Sequence, residues 1–236
     1  PDQRFAGQLE EALLFYGGMR QTASQITTDT GADLPYPTSD DTSNSGTIVA
    51  ENAAFATQDV TFALITLKAY KYSSNIVLVP VELLQDSSID IAAFLARKLG
   101  ERVGRAQNTH FTIGSGASQP TGILQKTTQG KAGNTGSVTS ITWDELIDME
   151  MSIGPAYRSM PGVGYMFHNN TLTVLRKLKD GEGRYLWQPG GNVTGGPPAT
   201  INGYRYTVNN DVPAMAASTN SLVFGDLSRY LIRDVR

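Results

Sequence analysis

The feature that most constrains the fold is residues 88–108, which carry the pattern of one long amphipathic helix. Its apolar residues recur every three or four positions and would form a single stripe: Ile91, Leu95, Leu99, Val103 and Ala106. Charged residues fill the other face: Arg97, Lys98, Glu101, Arg102 and Arg105. Such a helix is about 30 Å long. We expect its apolar stripe to pack against a sheet and its charged face to point outward.

The glycine-rich segment after this helix, residues 114–124, reads GSGASQPTGIL and ends in Pro120, Gly122, Ile123 and Leu124. A dinucleotide-binding loop requires a glycine three positions after Gly116, where this chain has Gln119. A phosphate loop requires Gly-Lys-Ser/Thr, which is absent here. The segment also follows a helix instead of opening one. We therefore predict a structural corner, in preference to a ligand-binding loop.

Composition argues for a protein that contacts other protein and against most catalytic sites. Charged residues make up 17% of the chain, the formal net charge is −3, and there is no cysteine. Disulfides, thiolate metal sites and cysteine nucleophiles are thereby excluded. The two histidines, His110 and His168, have no partner at metal-ligand spacing, and no Gly-x-Ser-x-Gly elbow occurs. We expect no cofactor, a hydrogen-bonding or capping role for His168, and, without an apolar run of 18 residues, no membrane partner.

The N-terminal third predicts an extended arm. Residues 27–47 are rich in Thr, Ser and Asp, and strand-like segments lie on either side, at residues 22–28 and 47–51. This pattern predicts a two-stranded arm with a loop at its tip. Such an arm is marginal in isolation and needs another molecule to lie on. Residues 59–72 alternate apolar and polar side chains, which predicts a further strand that continues through residues 76–79.

Residues 125–236 predict an α+β unit that begins after a polar linker. Thr142 and Glu145 match a capping box at the start of a helix. A short buried strand follows at residues 164–167, and Asn170 is predicted to cap a second helix. Asn202–Gly203 is the dipeptide of a tight hairpin turn between later strands.

Several segments resemble, in order, the major capsid proteins of tailed bacteriophages with the Hong Kong 97-type fold. The similarity covers residues 47–236. The segments that carry it are Val49-Ala50-Glu51, VPVELLQDS, IGSGASQPTGIL, HNNTLTVLRKLKDGEGRYLW, NGYRYTVNNDVP and VFGDLSRYLIRD.

The resemblance implies an α+β fold divided into named parts. Residues 1–28 would form the N-terminal arm and the start of the peripheral domain, and residues 29–58 the extended loop that reaches over a neighbouring subunit. Residues 59–124 would be the peripheral domain, with its spine helix at 88–108, and residues 125–236 the axial domain. In this family the chain then returns to the peripheral sheet, and we expect that return to begin where this sequence stops at Arg236.

The resemblance also implies a function without enzymatic activity. The chain would assemble through pentamers and hexamers into an icosahedral shell around double-stranded DNA, made in the bacterial host cytoplasm and located in the virion. Its partners would be copies of itself and DNA bound non-specifically, with scaffold or maturation protease, portal and decoration proteins as further candidates. The subunit-interface residues we predict are Leu34, Tyr36 and Phe55 in the arm, and Arg97, Arg102 and Arg105 on the spine helix.

Two other readings remain open at this stage. An encapsulin-like shell has the same kind of fold but encloses protein cargo. A hydrolase or carbohydrate-binding domain that uses the Asp-rich loop would instead be a monomer with a pocket.

Overall fold

A computed structural model describes residues 18–80, 91–134, 136, 138–187 and 200–235. The chain divides into two compact units. The first comprises Pro1–Gln25 with Lys71–Ile232, and the second comprises Ile26–Tyr70 with Arg233–Arg236. The described helices are α1 (Gly18–Thr22), α2 (Ile91–Ile113), α3 (Trp143–Met151), α4 (Pro155–Arg158) and α5 (Asn169–Arg176), with short 3₁₀ turns at Ile123–Gln125 and Leu227–Arg229.

The described strands form three separate sheets. They are β1 (Ser24–Thr28), β2 (Leu34–Ser39), β3 (Phe62–Leu67), β4 (Val163–Phe167), β5 (Thr200–Ile201), β6 (Tyr204–Val208), β7 (Leu222–Asp226) and β8 (Leu231–Val235). The largest sheet has the order β5-β6-β4-β7, while β1 pairs with β8 and β2 pairs with β3. The predicted strand at residues 22–28 is confirmed by β1.

The four-stranded sheet of the first unit is organised around β4, whose five residues are all buried. Strand β4 runs parallel to β6 and antiparallel to β7. Successive side chains of a strand point to opposite faces. Met166 accordingly joins one apolar core, while its neighbours Tyr165 and Phe167 join another. The predicted buried strand is therefore confirmed, and it separates two cores.

The Asn202–Gly203 turn joins β5 to β6 and is confirmed as a two-residue hairpin. Strand pairing places Ile201 opposite Tyr204. Both turn residues have positive φ, 49° for Asn202 and 85° for Gly203. Two consecutive positive φ angles are characteristic of the type I′ turn, whose twist matches that of the flanking strands.

Helix α2 confirms the predicted long helix but differs from it in two respects. It continues to Ile113, five residues beyond the predicted end, and residues 88–90 lie outside the described part. Its most buried line comprises Ala96, Gly100, Gly104 and Asn108, whereas the predicted stripe of Ile91, Leu95, Leu99 and Val103 is only half-buried. Helix α1 packs against the C-terminal half of this helix, where the Met19 amide and the Arg20 side chain bond to Asn108 and Gln107.

Polar side chains connect the C-terminal half of α2 to the end of β6. Asn108 Oδ1 accepts from the Met19 amide at 3.1 Å, and Asn108 Nδ2 donates to Asn209 Oδ1 at 2.8 Å. Asn209 Nδ2 then donates to Thr112 Oγ1 at 2.9 Å. Asn108, where the helix was predicted to end, is therefore held inside the helix by tertiary hydrogen bonds.

The glycine-rich segment forms a closed corner, which confirms the structural-turn prediction. At the end of the helix, the Gly114 amide donates to His110 O at 2.9 Å. The Gly122 amide donates to Gly114 O at 2.7 Å and so closes the corner. Ser115 and Thr121 form an isolated antiparallel bridge between these points. Ile123 and Leu124 follow at once and are buried in a core. The corner thus connects α2 directly to the packed interior.

Two helix starts test the capping predictions. The Thr142–Glu145 capping box is confirmed, with the Thr142 amide donating to Glu145 Oε2 at 2.7 Å and the Glu145 amide donating to Thr142 Oγ1 at 3.2 Å. The prediction that Asn170 caps α5 is wrong. The cap is His168, whose Nδ1 accepts from the Asn170 amide at 2.9 Å, which confirms the capping role predicted for that histidine.

The preceding polar segment packs along α3. The Asn134 amide donates to Glu145 Oε1 at 2.8 Å, and Lys131 pairs with Asp148. Burial raises the pKa of Glu145, but hydrogen bonds from Thr142 and Asn134 and the nearby charge of Lys131 outweigh burial and hold that pKa below its usual range.

Low pH should reduce the stability of the fold, because Glu145 becomes protonated. Because its folded pKa is depressed, the stabilisation that it contributes is present above its ordinary pKa and is lost as the pH falls through the folded value. In urea unfolding between pH 7 and pH 3, Glu145→Gln should show a shallower loss of stability than the wild type. Asp144→Asn, an exposed change in the same helical turn, provides the control for the loss of a carboxylate. Equal slopes for wild type and Glu145→Gln would contradict this role.

The second unit is built on the antiparallel pair β2–β3, which we call the ribbon. Its register runs from Leu34 opposite Leu67 to Ser39 opposite Phe62. The arm is therefore two-stranded, as predicted, but its strands are β2 and β3 and not residues 22–28 and 47–51. Residues 47–51 form no strand, and neither do residues 76–79. Residues 40–61, which we call the tip loop, connect the two ribbon strands.

Candidate assembly surfaces

The ribbon is apolar on both faces. Residues directly opposite in an antiparallel pair share a face, so Tyr36 and Ile65 lie on one face, and Pro37 and Leu64 on the other. Phe62 and Leu64 are each 73% exposed, and Ile65 is 52% exposed. Large contiguous apolar exposure is uncommon on a monomeric protein and indicates an interaction surface.

The base of the ribbon is fixed by one side chain, Arg233. Its guanidinium donates to Thr28 Oγ1 at 3.0 Å, to Thr30 O at 2.7 Å and to Leu67 O at 2.7 Å. Three bonds from one planar group connect the chain before β2 to the end of β3. The ribbon is therefore held at its base while its two faces remain uncovered.

The tip loop is exposed and bonded mainly to itself. Asp40 Oδ1 accepts from the Thr42 hydroxyl at 2.7 Å and from the Thr42 amide at 3.2 Å, and these bonds lower the pKa of Asp40. Gln58 Nε2 donates to Asn44 Oδ1 at 2.6 Å across the loop. Phe55, in the middle of the loop, is 84% exposed.

Helix α2 presents a second exposed surface, which is basic. Arg97, Arg102 and Arg105 are all exposed, and we call them the arginine face. Glu101, the sole acid in the sequence of this helix, pairs with Lys98 at 2.9 Å. Four basic residues against one acidic residue give the helix a formal charge of +3.

A buried polar cluster surrounds Glu150. Glu150 is 5% exposed and accepts hydrogen bonds from the Tyr165 hydroxyl and from Asn202 Nδ2. Burial, together with the bond to Glu150, raises the pKa of Tyr165. The cluster joins α3 to the sheet. Among the described residues, no group of three His, Asp or Glu side chains could hold a metal ion.

Comparison with known proteins identifies the family. A sequence model described as "Phage capsid family" matches residues 2–236. The chain belongs to the phage capsid family. The resemblance to phage capsid proteins that the sequence indicated is thereby confirmed. A curated relative, the "Major capsid protein" of Halomonas phage phiHAP-1, is 28% identical over 177 residues, which is 74% of this chain and 26% of that protein. The chain thus spans about a quarter of the length of this relative.

Solved structures of capsid proteins have the same fold as this phage capsid family member. A chain from "Capsid of native GTA particle computed with C5 symmetry" aligns with a TM-score of 0.77 and 26% identity, over 92% of this chain and 75% of that chain. A chain from Mycobacterium phage Cain aligns with a TM-score of 0.62 and 16% identity, over 93% of this chain and 71% of that chain. These matches support the mixed helix-and-strand architecture of a phage capsid protein. No described helix has both the length and the hydrophobicity needed to cross a membrane.

The six predicted interface residues all lie on the surfaces described above. Leu34 and Tyr36 share one ribbon face, with Leu34 half-buried and Tyr36 38% exposed, while Phe55 lies apart in the tip loop. Their role in an interface remains a prediction. Sequence reasoning missed Phe62, Leu64 and Ile65 as surface residues, because alternation suggested a strand with one buried face. The signal was the run of four consecutive apolar residues at 62–65 in β3, which places apolar side chains on both of its faces.

Proposed function

We propose that this protein is a major capsid subunit that assembles through pentamers and hexamers into an icosahedral shell around double-stranded DNA. The observation that carries the proposal is the ribbon with both faces apolar and uncovered. Burying a Phe or Leu side chain stabilises by about 2 kcal/mol. A neighbouring subunit that covers the ribbon would gain this stabilisation at every contact of the shell.

The parts of a Hong Kong 97-type subunit are assigned as follows. The ribbon and tip loop correspond to the extended loop, and α2 corresponds to the spine helix of the peripheral domain. The sheet β5-β6-β4-β7 with α3 and α5 corresponds to the axial domain. Head-to-tail contacts between such subunits close into rings when the rotation between neighbours closes, which yields pentamers and hexamers.

Replacement of the exposed ribbon face should abolish assembly without unfolding the subunit. Phe62→Ser with Leu64→Ser removes two apolar side chains from one face. The loss of about 3 kcal/mol per contact should reduce the assembled fraction of full-length protein at least tenfold. Sedimentation velocity measures this fraction. Thr66→Ser, an exposed change on the same face, is the control and should assemble as the wild type does.

Other outcomes would favour other functions. If the double variant assembles fully, the ribbon is not part of the interface. Wild-type shells that contain protein cargo and no DNA would indicate the encapsulin-like alternative. A wild-type protein that stays monomeric at every concentration and binds a carbohydrate or is hydrolytically active would favour the monomeric alternative.

A further inference from the structure

Asn202–Gly203 is the one Asn-Gly dipeptide of this sequence, and it lies at the exposed tip of the β5–β6 hairpin. In such a dipeptide the glycine nitrogen can attack the asparagine side chain, because no Cβ shields that nitrogen. The turn leaves the nitrogen available, since the hydrogen bond of a β-turn joins its first and fourth residues, here Ile201 and Tyr204. A Cβ on Gly203 would meet nothing within 4 Å, so the turn is open to water.

The side chain of Asn202 is bound to a buried carboxylate. Its Nδ2 donates to Glu150 Oε1 at 2.7 Å, and Glu150 is 5% exposed in the last turn of α3. A second bond to this carboxylate comes from the Tyr165 hydroxyl. Both partners are neutral, and within the described part of the chain Glu150 forms no ion pair. The amide of Asn202 therefore lies beside a negative charge that no paired cation balances.

We propose that Asn202 is a site of spontaneous deamidation, that Glu150 slows the reaction, and that its product releases the hairpin from α3. The Gly203 nitrogen first loses its proton to a solvent base and bonds to the side-chain carbonyl carbon of Asn202. Nδ2 then takes up a proton and leaves as ammonia, and a succinimide ring remains. Water opens this ring and yields aspartate or isoaspartate. Deamidation requires no assembled shell, so the proposal is independent of the proposed shell function.

The bond to Glu150 opposes this reaction in two ways. Attack at the carbonyl carbon places negative charge on Asn202 Oδ1, and the carboxylate bound to the same amide group repels that charge. The bond also restricts the rotation that aligns the carbonyl carbon with the Gly203 nitrogen, and reacting atoms need such alignment. Deamidation of the folded chain should therefore be slower than that of the unfolded chain.

The product cannot make the contact that the amide makes. A carboxylate at position 202 has no N–H to donate to Glu150, and α3 thereby loses its side-chain bond to the β5–β6 turn. Two carboxylates so close together also disfavour each other's ionised form. Deamidation thus converts a stabilising contact into a repulsive one, and the loss of ammonia makes the change irreversible.

Peptide mass spectrometry of the full-length protein, incubated at mildly alkaline pH, measures the deamidated fraction of Asn202 over time. The folded wild type should react about tenfold more slowly than the same protein unfolded in urea, and Glu150→Gln should react about tenfold faster than the folded wild type. Asp144→Asn, which removes an exposed carboxylate from α3, should keep the wild-type rate. So should Tyr165→Phe, which alters the same cluster but retains the carboxylate. Thermal unfolding identifies any variant that reacts faster because it is unfolded.

The consequence of the reaction is tested by two substitutions at position 202. Asn202→Asp reproduces the product, whereas Asn202→Gly removes the bond to Glu150 without adding charge, in a turn that accepts glycine. In urea, the equilibrium constant for unfolding of Asn202→Asp should exceed that of Asn202→Gly about tenfold.

Three results would overturn the proposal. An Asn202 that stays intact in the folded wild type and in every variant would rule out the site. Deamidation as fast in the folded wild type as in urea, or no faster in Glu150→Gln than in the wild type, would rule out the role of Glu150. Equal stability of Asn202→Asp and Asn202→Gly would rule out release of the hairpin.

Discussion

Gly122→Ala should reduce the stability of the subunit by about 3 kcal/mol or more. A Cβ at this position would lie 2.5 Å from the Gly114 nitrogen and 2.6 Å from the Ile113 nitrogen. Both are backbone atoms at the end of α2, so neither can rotate away as a side chain could. The φ of Gly122 is −69°, which any residue adopts. The expected effect therefore comes from lack of space alone.

The measurement is urea unfolding of the dissociated subunit, with Gly133→Ala as the matched control. A Cβ on Gly133 would meet nothing within 4 Å, so that variant should stay within about 0.5 kcal/mol of the wild type. A Gly122→Ala variant as stable as the control would show that the corner can open without cost. It would then be wrong to treat the corner as a fixed connection between α2 and the core.

Asn209→Ala should produce the second large effect on stability, about 3 kcal/mol. Asn209 is 2% exposed and accepts from Asn108 Nδ2 and from the Asp211 amide, while donating to Thr112 Oγ1. Its removal takes one hydrogen bond each from Asn108 Nδ2, Thr112 Oγ1 and the Asp211 amide, and each such bond contributes about 1 kcal/mol.

The neighbouring residue Asn210 provides the control for this prediction. It is exposed and its side chain accepts one bond, from the Asn169 amide at 3.3 Å. Asn210→Ala should therefore cost less than about 1 kcal/mol. Similar losses for the two alanine variants in thermal or urea unfolding would show that the buried amide network contributes little to stability.

Features determined by local chemistry could be predicted from the sequence. The Thr142–Glu145 capping box, the Asn202–Gly203 turn and the corner at residues 114–124 each depend on residues within a few positions of one another. Their partners are visible in the sequence, and their geometry is restricted by backbone conformation. The family was also recognisable, because several such segments occur in a characteristic order.

Features determined by tertiary contacts could not be predicted in this way. Helix α2 was expected to end at Asn108, yet it continues to Ile113, and Asn108 is bonded within it to Met19 and Asn209. The arm strands were misplaced because Pro35 and Pro37 argued against a strand at β2. A two-stranded ribbon tolerates proline, since each of its strands has an unpaired edge.

The candidate surfaces were predictable only in part. The arginines could be placed on an exposed helical face from their spacing, and the structure leaves all three exposed. The apolar faces of the ribbon depend on which strands pair, and so they appear only once the register of β2 and β3 is known. Exposure of Phe62 and Leu64 is therefore a finding of the structure.

The most direct test of the shell proposal is cryo-electron microscopy of particles formed by the purified full-length protein. The proposal predicts closed shells with five-fold and six-fold positions, in which residues 34–67 of each subunit lie against an adjacent subunit and Phe62 and Leu64 are buried. Particles in which the ribbon remains exposed to solvent, or a protein that forms no shells under any assembly condition, would contradict it.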